Sequence, residues 1–322
     1  MKETHGGDIW AAARRAGKSP EEIIDFSASI SPLGLSPRAA GAVREALALS
    51  GAYPDPDVRE LRHALADHHG ISPEELLPAN GSTELIYLVP SVFRPKKALI
   101  VEPAFSEYRY ALELGGVSVD EFQCREEDSF LPDIEGLFKR LEGRYDLLYI
   151  GNPANPTGAL MEKELLLKVV DECGKHGTVV IVDEAFADFS EEDSVKASVG
   201  EFENLVVLRS MTKFFSMAGL RLGYLVAPPA VVERFRSFLP PWSVNTLAQA
   251  AGVATLGDTE HMEEIKRWFA SEREYMPGRL GKFAELEVFP SAANFFMIKS
   301  SWDGVAGGHV KDALGERGIL VR

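Results

Sequence analysis

Lys213 stands where an apolar run turns polar. NLVVLRSMTKFFSMAGLRLGY, residues 204–224, places Ser210 and Thr212 just before it and Arg221 eight residues after it. A lysine beside hydroxyls and an arginine has three uses: a phosphate grip, a covalent catalyst, or a solvated surface. Three other short apolar runs end in polar residues. ALIVEP leads into Ala104 and Phe105, DLLYIGNP into NPANPTG, and TVVIVDEA into Asp183 and Glu184. In open α/β sheets ligands bind outside the carboxyl ends of the strands, so these exits are expected to share one crevice. Upstream, Gly81, Ser82 and Thr83 precede an apolar helix. The free N–H groups and dipole of such a helix start make an anion site.

The ligand must suit all of these groups. A phosphate suits Gly81, Ser82, Thr83, Ser210, Thr212 and Arg221, and a flat ring suits stacking on Phe105. A ring nitrogen that must stay protonated suits the carboxylate of Asp183, and an aldehyde suits the amine of Lys213. Pyridoxal phosphate has all four features.

NPANPTG, VDEAFADF and SMTKFFSMAGLRLGY, in that order, resemble the signature blocks of the fold-type I pyridoxal-phosphate enzymes, the class I/II aminotransferase superfamily. The resemblance covers most of the chain. It implies an α/β fold, with a mostly parallel central sheet flanked by helices and a smaller α+β domain. It implies that Lys213 bonds to the cofactor, Asp183 pairs with the pyridine nitrogen, Asn155 hydrogen-bonds the ring's 3-oxygen, and Arg221 holds the phosphate. It further implies a homodimer with shared active sites, in which Tyr53 of YPDPDVRELR reaches the partner's cofactor phosphate.

Within the superfamily, HGGDI, DFSASISPLG and Phe186 resemble the threonine-phosphate decarboxylase branch, with the histidinol-phosphate aminotransferases next. By that resemblance a small phosphorylated amino acid is the substrate, contacted by His5, Ser31, Asn155 and Arg322. The expected reaction is decarboxylation of threonine phosphate to aminopropanol phosphate, a building block of cobalamin. The chain departs from that branch in carrying Ser29 and Ser31 where asparagines are usual. The branch also places a carboxylate-binding arginine beyond GILVR, where this sequence stops. A chain lacking it is expected to bind cofactor without full activity.

The elements that would position these residues follow from patterning. Residues 9–15 read as a short helix stopped near Gly17, and Ser36-Pro37 as a helix start. Val58, Leu61 and Leu65 share one face of a helix stopped by Gly70. His63, His68 and His69 of that helix read as a solvated face, with no companion ligands for a metal. EKELLLKVVDECGKHG is a further helix; apolar strands separated by helices predict a mostly parallel sheet covered on both faces. After residue 228 the texture changes to long helices, a hairpin in LEVFPSAANFFMIKS, and a helix, turn and strand in VKDALGERGILVR. The expected organisation is an arm and part of the small domain over 1–36, a large cofactor domain over 37–228, and an incomplete small domain over 229–322.

The chain has 322 residues, 45% of them hydrophobic, enough for a sizeable core. A net charge of −15 without a basic run argues against nucleic acid. Local arginines can still hold a small anion, because fields are screened over about 8 Å. Cys124 and Cys173, far apart, fit a reducing cytoplasm rather than a disulfide framework. No apolar run approaches the roughly 18 residues of a membrane span. Asp183-Glu184 after VVIV also resembles the acidic strand end of a phosphate-loop ATPase. AARRAGKS, however, has Ala12 where that loop needs its first glycine.

Overall fold

The computed structural model describes residues 6–302 and 304–322; His5 lies outside the described residues. Eleven strands occur among them: β1 (Ile24–Asp25), β2 (Leu76–Ala79), β3 (Lys97–Glu102), β4 (Ser118–Gln123), β5 (Leu147–Gly151), β6 (Val179–Asp183), β7 (Leu205–Ser210), β8 (Gly223–Val226), β9 (Leu286–Val288), β10 (Ile298–Ser300) and β11 (Ile319–Leu320). Seven form the central sheet in the order β2-β8-β7-β6-β5-β3-β4. The ladders from β4 to β7 are parallel, and β8 runs antiparallel to both β7 and β2.

The apolar strands are buried on both faces, and alternate residues serve opposite cores. Leu99, Leu148, Ile150, Val180, Val182, Leu205 and Val207 point into one core; Ala98, Ile100, Leu147, Tyr149, Ile181, Val206 and Leu208 point into the other. Helices Ser82–Phe93, Glu107–Leu114, Ile134–Leu141 and Lys163–Lys175 lie in the connections between strands. Because β3, β5, β6 and β7 are parallel, their carboxyl ends, and hence Phe105, Asn155, Asp183 and Lys213, fall at one edge of the sheet.

Helix Arg59–His69 ends at Gly70 and buries Leu61 and Leu65 with Val58 just before it, but the His69 side chain is buried rather than solvated. Its Nε2 lies 2.6 Å from the Tyr224 hydroxyl of β8. Burial pushes its pKa down, so the imidazole is neutral. The expected solvated face therefore stops short of this residue, whose partner comes from a strand far along the chain.

Outside the large sheet, helix Thr259–Leu280 leads to the antiparallel pair β9 and β10. Helix Gly307–Gly315 leads to β11, which pairs in parallel with β1 of the N-terminal arm. That pairing carries the arm's continuation, Ser27 to Ser31, across the exit of β7.

Candidate active site

The helix start at residue 82 is built for close approach. Gly81, its N-cap, has φ of 80°, and a Cβ there would sit 2.8 Å from an Arg221 guanidinium nitrogen. Gly223, at the start of β8, lies closer still: a Cβ would come within 2.3 Å of the Ser82 amide nitrogen. Glycine at both positions lets Arg221 lie against the first turn. Arg221 itself has φ of 60°, a left-handed conformation that costs a non-glycine residue energy and concentrates at functional sites. The Ser210 and Thr212 hydroxyls, both buried, lie 2.8 Å apart. Arg221 thus lies against Gly81 at the helix start, and Ser210, paired in register with Gly223, is the neighbouring strand end.

Asp183, the last residue of β6, is buried. Its Oδ2 accepts a hydrogen bond from the Tyr108 hydroxyl at 2.7 Å, and its Oδ1 accepts from the Ala185 N–H at 3.0 Å. Burial pushes its pKa up to about 6, against the pull of those donors. Phe105 packs edge-to-face on Tyr108, with ring centroids 5.7 Å apart.

The Lys213 amine donates to the Ala28 carbonyl at 2.8 Å and lies 5.7 Å from the centroid of the Phe186 ring. Burial lowers its pKa to about 8, helped by the charges of Arg221 and Arg322 and opposed by Asp25 and Asp183. The arm is fastened here. Ser31 N–H donates to the Lys213 carbonyl at 3.0 Å, Ser216 Oγ donates to the Ser31 carbonyl at 2.9 Å, and Asn294 donates to the Ser29 carbonyl at 3.0 Å. Ser31 is 3% exposed, and its hydroxyl has no hydrogen-bond partner among the described residues. Arg322 donates to Asn155 Oδ1 at 3.3 Å.

Tyr53 is the outlier. It is 79% exposed and stacks on Trp242, with centroids 4.4 Å apart. Among the described residues, no cluster of three or more His, Cys, Asp and Glu side chains could hold a metal ion. None of their helices is long and apolar enough to cross a membrane.

A model of the family "Aminotransferase class I and II" matches residues 21–315. The chain belongs to the class I and II aminotransferase family. It is 38% identical over 302 residues to the threonine-phosphate decarboxylase of Salmonella typhimurium, covering 93% of this chain and 82% of that protein. The histidinol-phosphate aminotransferase of Clostridium acetobutylicum superposes with a TM-score of 0.86 at 29% identity, covering 93% of this chain and 89% of that one. The histidinol-phosphate aminotransferase of Sinorhizobium meliloti, solved with pyridoxal 5'-phosphate, superposes at 0.88 over 100% of this chain and 87% of that one; at 24% identity it speaks for the fold. This is a fold-type I enzyme of the class I/II aminotransferases, and its cofactor is pyridoxal phosphate.

The residues fit that cofactor. A half-buried amine with a lowered pKa suits an aldehyde, a buried strand-end carboxylate suits a pyridinium, and the glycine-lined corner beside Arg221 suits a phosphate. Sequence reasoning missed two features of this class I/II aminotransferase. Tyr108 sits three residues after Phe105, and its signal was only a tyrosine one helical turn from a strand exit. Arg209, fully buried, binds Glu184 at 2.9 Å, Asp188 at 2.7 Å and Glu191 at 2.6 Å. Its signal was an arginine inside an apolar run, which burial obliges to find carboxylates.

Proposed function

We propose that the chain decarboxylates L-threonine O-3-phosphate to (R)-1-aminopropan-2-yl phosphate in cobalamin biosynthesis. The observation that carries this reading is its 38% identity to a threonine-phosphate decarboxylase along 93% of its length. When bound, pyridoxal phosphate supplies an electron sink for the pair left when a bond at the substrate Cα breaks.

The chain's own residues do the rest. Lys213 would anchor the cofactor through its aldehyde, and its amine, once free, would carry the proton to be returned to the substrate Cα. Asp183 holds the proton on the ring nitrogen. Gly81, Ser82, Thr83, Ser210, Thr212 and Arg221 hold the cofactor phosphate, Phe105 covers the ring, and Asn155 holds its 3-oxygen. Phe186, buried beside Lys213, adds a ring without a hydroxyl to the same wall.

Orientation selects the reaction. Only the bond held perpendicular to the ring overlaps its π-system, so the substrate phosphate acts as the handle that turns the carboxylate into that position. His5, the hydroxyl of Ser31, unpartnered among the described residues, Asn155 and Arg322 are the proposed handle-binding and substrate-binding groups. Tyr53 completes the cofactor phosphate site of a partner subunit in a cytoplasmic homodimer. The proposed units are the arm over 1–36, the cofactor domain over 37–228 and the small domain over 229–322.

Histidinol-phosphate aminotransferase activity is the second reading, favoured by the superposition on the Clostridium acetobutylicum enzyme. The chain loaded with cofactor is incubated with L-threonine O-3-phosphate, and carbon dioxide and aminopropanol phosphate are quantified. Stoichiometric release of both is expected. Glutamate formed from histidinol phosphate and 2-oxoglutarate, without carbon dioxide from the first substrate, assigns the aminotransferase instead. A cofactor that binds and turns over neither substrate removes both.

A further inference from the structure

Asp183 does not stand alone at the end of β6. Tyr108, on helix Glu107–Leu114, reaches back across the sheet edge to place its hydroxyl on Asp183 Oδ2. Beneath it, Tyr149 of β5 lies flat against the Tyr108 ring, with centroids 4.6 Å apart and planes within 7°. Both phenols are buried. Gly151, two residues along β5 from Tyr149, pairs in register with Asp183, and a Cβ there would sit 3.5 Å from the Tyr108 hydroxyl oxygen. The stack, the glycine and the carboxylate form one layer at the strand exits.

We propose that Tyr108 is a positioning residue for the cofactor chemistry: held flat by Tyr149, its hydroxyl keeps the Asp183 carboxylate ionised and aimed at the ring nitrogen. The inference rests on the proposed pairing of Asp183 with that nitrogen. A buried carboxylate is driven to take up a proton. A proton held on Asp183 is one the ring nitrogen lacks, and the electron sink weakens accordingly. A phenol can donate one hydrogen bond to a carboxylate, and donation favours the charged form. Tyr108 cannot lose its own proton in exchange, since burial and the neighbouring carboxylates raise its pKa well above the ordinary value.

The charged and titratable groups facing this layer come from several elements. Glu102 ends β3 and acts on Tyr108, while Glu184 follows Asp183 and raises its pKa. Lys213, after β7, lowers it. The Ala185 N–H supplies the second donor. Tyr149 contributes its ring and not its hydroxyl, which has no hydrogen-bond partner among the described residues.

The test uses the holoenzyme and reads the pH midpoint of the bound cofactor's visible absorbance together with its dissociation constant. Tyr108→Phe keeps the ring and removes only the donor. Its midpoint is expected to move up by about one pH unit, since one hydrogen bond to a buried charge is worth that much. Cofactor is expected to dissociate several-fold more readily, and kcat to fall about tenfold with KM little changed. On an Asp183→Asn background, Tyr108→Phe is expected to leave the midpoint unmoved, because the charge that the hydroxyl stabilises is gone.

Tyr149→Leu keeps the phenol but removes the ring beneath it, and should shift the midpoint the same way by less. It serves as the second probe should Tyr108→Phe fail to fold. An unchanged midpoint in Tyr108→Phe, or a shift of equal size on the Asp183→Asn background, overturns the proposal. The same follows if Tyr149→Leu is the surviving probe and its midpoint stays put. A wild-type chain whose cofactor absorbance cannot be fixed onto Lys213 by borohydride overturns the underlying reading instead, so the two failures are distinct.

Discussion

Burial pushes the pKa values of the Lys213 amine and the Asp183 carboxylate away from their ordinary values, in opposite senses. Lys213 falls from 10.5 to about 8 and Asp183 rises from 3.8 to about 6. For Lys213 the folded chain sheds its proton before the unfolded chain does. The cost of burying the cation is therefore full below pH 8, relieved as pH rises from 8 to 10.5, and on the order of 3 kcal/mol at neutrality. Asp183 costs stability in its charged form, so its penalty is absent below pH 3.8 and grows as pH rises towards 6. Capture of the cofactor aldehyde needs the neutral amine. Its rate in stopped-flow absorbance should climb with pH and level off above about 8. Arg322→Met, which removes one of the cations that depress the amine, should move that midpoint upward. In the proposed complex both penalties shrink, since the amine is consumed and a protonated ring faces Asp183. Stripping the cofactor should therefore lower the melting temperature by roughly 5–10 °C in a thermal scan, the equivalent of a few kcal/mol in a chain this size.

At the level of elements, the parallel ladders β5 to β7 deliver Asn155, Asp183 and Lys213 to one edge, and Arg209 ties that edge together. Its guanidinium on β7 bonds to Glu184, Asp188 and Glu191 in the segment after β6, while Glu184 also accepts from Ser194 and the Val195 N–H. Arg209→Met would leave Glu184 and Asp188 buried without their counter-charge. It should cost about 3–5 kcal/mol in urea unfolding, with Arg209→Lys falling between because a point charge cannot reach three carboxylates at once. The strands that carry this edge were legible because continuous β-branched runs ending in polar residues have few other folds. β2 and β8, each only four residues long and one containing Pro78, gave no such run. Tyr108 and His69 were illegible for another reason. Each lies on an amphipathic helix, where its type reads as packing or solvated surface. Their partners, Asp183 and Tyr224, lie 75 and 155 residues away, a distance that only the crossovers of the sheet close.

For the whole molecule, the arrangement that bears on assembly is the exposed Tyr53 stacked on Trp242, with exposed Leu47 and Leu49 a few residues before it in the chain. An apolar surface of this kind is costly to leave wet. In the proposed homodimer it packs on the second copy, and Tyr53 enters the partner's phosphate corner. A two-fold interface makes the exchange mutual, so each site needs Lys213 from one subunit and Tyr53 from the other. Lys213→Ala and Tyr53→Ala homodimers should then both be weak enzymes, the first without a covalent anchor and the second with a depleted phosphate grip. Unfolded together and refolded at equal amounts, they give mixed dimers in which one site carries both lesions and the other carries neither. Random pairing makes half the dimers mixed, so recovered activity should reach about one quarter of the wild-type value. Leu47→Glu with Leu49→Glu should lower the mass in sedimentation to that of a monomer and weaken cofactor binding in the same step. Activity in the refolded mixture no higher than the average of the two parents would mean that each site is complete within one chain. Tyr53 would then be a surface tyrosine resting on Trp242 and nothing more.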